Sequence, residues 1–90
     1  MLDTYETKAE GYLHQFEKKV CEYLVTGNIN AIRAAHDDVF ELEVDTNYFE
    51  WSRLEDYVKI VGQLLYAYDS KNDKILKMKR AQLLRFWNNV

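Results

Sequence analysis

Glu10, His14, Glu17 and Cys21 are all residue types that ligate metal ions. Their steps of four, three and four would line them along one side of a helix. The ends of that line lie about three turns apart at roughly 5.4 Å per turn, too far to close on one ion. Glu10 with His14 would need further ligands from a second helix. The di-iron arrangement of helical bundles places a Glu three residues before a His, and "HQFE" (14–17) runs in the reverse order. The spacing therefore predicts no metal site. His36 adjoins Asp37 and Asp38 at the margin of an apolar stripe, the pattern of a half-buried histidine beside a carboxylate. Covalent catalysis needs a Ser, Cys or Thr held against a base with a third orienting group. Ser52 and Ser70 fall where turns and caps are expected, and nothing in the residue order sets Cys21 against a histidine. With no glycine-rich phosphate loop either, the expectation is a protein without enzymatic activity and without a cofactor.

Charge is distributed more tellingly. "KILKMKR" (74–80) carries four cations in seven residues. From residue 71 onward six Lys or Arg face one Asp, whereas residues 1–70 carry six cations and fourteen acids. Side chains give +5 for the tail and −8 for the rest, against a total of −3. At 100° per residue, Lys74, Lys77 and Arg85 share the side of a helix opposite its apolar arc, with Met78 and Ala81 between them. Lys79 and Arg80 point into the arc, where long stems can run along apolar surface. These two are expected to be partly buried near carboxylates, and the other three to stay solvated and free to meet an acidic protein surface. The alternative is a nucleic-acid-binding regulator that uses the same helix. Phosphate recognition favours a basic stripe unopposed by nearby acids. Fourteen acids in so small a body, and a sequence pI near 5.3, favour a protein partner.

Aromatic residues supply a second candidate surface. "NYFEW" (47–51) places three aromatics in four positions, and Tyr and Trp dominate binding hot spots. In the segment that follows, Leu54, Tyr57, Val58, Val61, Leu65 and Tyr68 form one stripe. Phe49, Ile60, Leu64 and Ala67 form a second, well rotated from it. That second stripe must be covered by another helix or by a second copy of the chain, so Phe49 and Ile60 join Lys74, Lys77 and Arg85 as candidate partner contacts, and homo-oligomerisation is expected.

The elements that carry these residues follow from the 3.6-residue period. Proline is absent and there are three glycines, too few for the many tight turns of a sheet protein. A first helix starts at "DTYE" with Asp3 as cap, runs through Leu2, Tyr5, Ala9, Tyr12, Leu13, Phe16, Val20, Tyr23 and Leu24, and stops at Gly27. A second is capped by Asn28 or Asn30 and continues through Ile32, Ala35, Val39 and Leu42. "FELEV" (40–44) also alternates as a strand would, but has no partner to pair with, so helix is expected there too. A third helix spans about 48–68, with Gly62 allowing close approach of a neighbour. A fourth spans about 71–88, capped by Ser70. The reading is an all-α, small antiparallel bundle of about four helices, one domain over 1–90. The single cysteine excludes an internal disulfide, and no apolar run approaches the ~20 residues of a membrane span. A cytoplasmic module is expected, one that regulates or inhibits a protein partner without touching a membrane.

Overall fold

The computed structural model describes residues 5–89, with side chains from Lys8 onward. The described residues form four helices and no strand: α1 (Tyr5–Thr26), α2 (Ile29–Val39), α3 (Phe49–Asp69) and α4 (Asp73–Asn88). The expected cap at Asp3 and the apolar contact of Leu2 lie outside the described residues.

On α1, Ala9, Leu13, Phe16, Val20 and Tyr23 are buried at helical spacing. The helix stops at Gly27, whose φ of 76° suits glycine and whose N–H donates to the Tyr23 carbonyl at 2.7 Å. Asn28 caps α2, its side chain accepting from the Asn30 N–H. Ala31, Ile32, Ala35 and Val39 then face inward.

The expectation of helix through 40–44 is not met. After Phe40, whose N–H donates to the His36 carbonyl, the chain becomes irregular and neither helix nor strand forms. Leu42 and Val44 both pack on the core. A helix would rotate residues two apart to different sides, whereas an extended backbone points both inward. The period-two alternation therefore holds for Leu42 and Val44 but not for Phe40, which is 62% exposed, and no neighbouring strand makes a sheet. Asp45 then closes a turn: its carboxylate accepts from the Asn47 N–H and its carbonyl from the Tyr48 N–H.

Most of both stripes of α3 is buried, though Phe49 and Tyr68 are exposed and Val58 half-buried. Leu54, Tyr57, Val61 and Leu65 pack on one side, and Ile60, Leu64 and Ala67 on the other. The expected cap at Ser70 is corrected: Ser70 closes α3, and Asn72 caps α4 by accepting from the Ile75 N–H. Between them Lys71 adopts φ 59°, its N–H donating to Tyr68 and that of Asn72 to the Ala67 carbonyl. This is a Schellman ending with lysine at the position glycine usually takes.

Tyr12 lies against Trp51 and Phe16 against Tyr57, so α1 and α3 run parallel. His36 lies over Gly62 and Arg33 meets Asp69, so α2 runs antiparallel to α3. A Cβ at Gly62 would sit 3.2 Å from His36 Nε2, which explains a glycine there. The three helices pack on one another, and α4 lies antiparallel along α3 with an edge against α1. One apolar cluster joins all four. Among the described residues no helix is long and apolar enough to cross a membrane.

Candidate partner-binding surface

Helix α4 has two unlike sides. Leu83 is fully buried, and Ile75, Leu76, Phe86 and Trp87 are half-buried around it. The opposite side presents Lys74, Lys77 and Arg85, all exposed and, among the described residues, in no ion pair. Met78 stands among them 56% exposed, and Leu84, expected within the apolar arc, emerges at its edge.

Lys79 and Arg80 were expected beside carboxylates, and neither meets one. Lys79 is half-buried, with its Nζ donating to Gln82 Oε1 at 3.3 Å. Arg80 is exposed rather than half-buried; it donates to the Leu24 carbonyl at 3.0 Å and lies 5.9 Å from the Tyr23 ring centroid. The cause is the end of α1. Carbonyls of a last helical turn lack intrahelical partners and carry partial negative charge, so the guanidinium binds there. Burial pushes the Tyr23 hydroxyl pKa up, and the positive charge of Arg80 opposes that shift.

Ile60, a candidate partner contact, lies in the core at 7% exposure and offers no surface. The cover is α4, which does within the chain what a second copy was considered for. Phe49, on the same stripe, is 67% exposed. The difference has a geometric reason: α4 ends level with Arg53, one turn short of Phe49.

Arg53 is the residue that the sequence reading missed. It is buried, and its Nη2 donates to the Phe86 carbonyl at 2.9 Å and its Nη1 to the Asn89 carbonyl at 3.3 Å. Arg53 thus caps the C-terminal end of α4 from α3, as Arg80 on α4 serves α1. Its Nε also donates to Glu17 Oε2 at 3.3 Å, and the Tyr57 hydroxyl donates to the same oxygen at 2.9 Å. The guanidinium lies 4.3 Å from the Phe86 ring centroid, a cation–π contact, and Phe86 meets Tyr57 edge-on. Burial, then the bond to Glu17, raises the Tyr57 hydroxyl pKa far above its ordinary value. A signal was available: Arg53, Tyr57, Ile60, Leu64 and Ala67 are spaced four, three, four and three, so the arginine heads a buried stripe.

Glu17 is thereby engaged in the fold, while Glu10 and His14 are exposed and Cys21 is half-buried. Among the described residues no three His, Cys, Asp or Glu side chains converge to hold a metal. His36 is mostly buried as expected, its Nδ1 3.7 Å from Asp37 Oδ1 and its ring stacked on Phe40. At the far end, Arg33 forms a two-pronged ion pair with Asp69, at 2.7 and 3.2 Å.

No protein-family model, curated protein or solved structure matches this chain.

Proposed function

We propose that this chain is a non-enzymatic helical interaction module that regulates or inhibits a cytoplasmic protein partner by docking the outer side of α4 on an acidic surface. One observation carries the reading: Lys74, Lys77 and Arg85 are exposed, lack ion pairs among the described residues and surround the exposed Met78. Elsewhere in the fold Arg33 and Arg53 are engaged with acids, whereas these three are clustered on one side of α4 and left free. An apolar side chain amid charge supplies contact area, while the charges steer the encounter. Phe49, exposed beyond the end of α4, is the second candidate contact of the same module.

The test combines affinity capture from the native host with titration of a generic DNA duplex, on the wild type and on Lys74→Glu/Lys77→Glu/Arg85→Glu. The expected result is an identified partner with an acidic surface whose association slows in the variant, because exposed charges act chiefly on the encounter rate. Duplex binding at physiological salt, with a steep salt dependence lost in the variant, would replace this reading with nucleic-acid regulation. Homo-oligomerisation remains part of the proposal, with Phe49 rather than Ile60 as its contact; sedimentation of the wild type and Phe49→Ser tests it, and a monomeric wild type at high concentration contradicts it.

A further inference from the structure

Next to the basic side of α4 lies an open groove of about 500 Å³, shared by α2, α3 and the first turns of α4. Gly62 is one of its lining residues, and His36 packs so close over it that a Cβ there would sit 3.2 Å from His36 Nε2. Val58 and Ile75 are half-buried in its walls. Phe40 and Tyr66 flank it at 62% and 76% exposure, so both rings are open to a partner. Phe40 holds its position because α2 stops there and its ring stacks on His36 at 5.1 Å between centroids.

The charge of the groove is one-sided. Two cations, Lys59 and Lys79, line it, and no carboxylate does. Lys59 is ion-paired with Glu55 one turn back on α3 at 3.7 Å, an exposed pair that a partner carboxylate can join, and Lys79 meets only Gln82. The groove also continues onto the basic side of α4. Ile75 and Met78 are three apart on one helix, as are Ile75 with Lys79 and Lys74 with Met78 at four apart, so each is the neighbour of the next. An apolar slot thus opens directly onto a row of cations.

We infer that the partner segment is acidic and carries a large apolar side chain, which enters the groove over Gly62 between Phe40 and Tyr66 while its carboxylates meet Lys59, Lys79 and Lys74. This rests on the reading of α4 as a docking surface for an acidic protein and specifies what that protein presents. Helical or extended acidic segments with an apolar anchor have this chemistry, and the aromatic walls provide the desolvated contact on which anchors depend.

Three synthetic peptides test it against the full chain, read by NMR shifts and fluorescence anisotropy: a glutamate-rich peptide around one leucine, the same peptide with alanine for leucine, and the leucine peptide with glutamine for glutamate. The expected result is binding of the first, with shifts at Gly62, Tyr66 and Ile75. Replacing the leucine, or making Phe40→Ser/Tyr66→Ser, should weaken binding by about tenfold, the scale of losing an aromatic or aliphatic anchor. Both side chains are exposed, so the circular dichroism of the double variant should match the wild type. Equal binding of the alanine peptide, with shifts confined to Lys74, Lys77 and Arg85, would overturn the groove and leave the basic-face reading standing. Equal binding of the glutamine peptide would overturn the acidic character of the partner. No shift with any peptide would overturn both.

Discussion

The cations that meet the two sides of α4, Arg53 of α3 among them, are used in opposite ways. On the inner side, arginine charge is consumed by the fold: Arg53 reaches the last carbonyls of α4 and the Glu17 carboxylate, and Arg80 reaches the Leu24 carbonyl at the end of α1. On the outer side, Lys74, Lys77 and Arg85 meet no acid among the described residues. A planar guanidinium can serve two carbonyls, a carboxylate and an aromatic face together, whereas a lysine is a hydrated point charge on a flexible stem. Charge count alone therefore does not separate cations engaged by the fold from those left exposed.

The comparison can be broken most forcefully at Arg53. Arg53→Met should destabilise the chain by about 2–4 kcal/mol in urea titration, below the ~3–5 kcal/mol of breaking a fully buried pair. The discount follows from Glu17, whose side chain keeps 28% exposure and some screening by water. A change within error would mean that the three-helix junction does not depend on its arginine.

Tyr57→Phe sharpens the same junction. Losing the hydroxyl should cost about 1.5–3 kcal/mol, the scale of bonds to charged groups, and should change the pH dependence. The folded state holds the Tyr57 proton far above the ordinary pKa of 10.0. Its contribution is complete below pH 10.0 and is lost as pH rises further, where the unfolded chain releases the proton and the folded chain keeps it. Stability of Tyr57→Phe should therefore decline less steeply on the alkaline side, measured by denaturant midpoints across pH.

The smallest effect belongs to an exposed pair. Arg33 holds the Asp69 carboxyl below its ordinary 3.8. The contribution is present above pH 3.8 and disappears as pH falls through the lowered value. A carboxyl NMR titration should find the Asp69 midpoint below 3.8 in the wild type and nearer to it in Arg33→Gln. An unchanged midpoint would show that the two-pronged pair is not held in solution.

Much of this architecture was legible. Long runs of three-and-four spacing and the absence of proline predicted the helices, and Gly27 and Asn28 marked one break correctly. The second stripe on α3 is covered within the chain at Ile60, Leu64 and Ala67 but not at Phe49. Errors arose where local pattern and tertiary geometry part. "FELEV" read as helix because a lone strand lacks a partner, yet the backbone took a third course that packs Leu42 and Val44 half-buried on the core and leaves Phe40 exposed. Ser70 is a good cap by residue type, but the Schellman turn through Lys71 shifted that role to Asn72. Arg53 was missed because a charged residue is expected outside, and only the position of the α4 carbonyls gives it a reason to be inside. Of the candidate contacts, Lys74, Lys77, Arg85 and Phe49 are on the surface and Ile60 is not. Helical angle separates sides of one helix, whereas where the neighbouring helix ends decides between Ile60 and Phe49.

The central claim is that the outer side of α4 is a surface kept free for an acidic protein. A 15N NMR map of the wild type, titrated with polyglutamate and separately with a DNA duplex, tests it most directly. The account predicts that polyglutamate shifts Lys74, Lys77, Met78 and Arg85 while Arg53, Tyr57 and Leu83 stay fixed, and that the duplex binds more weakly. Shifts spread evenly over the other lysines, or a duplex that binds the same side more tightly, would contradict it.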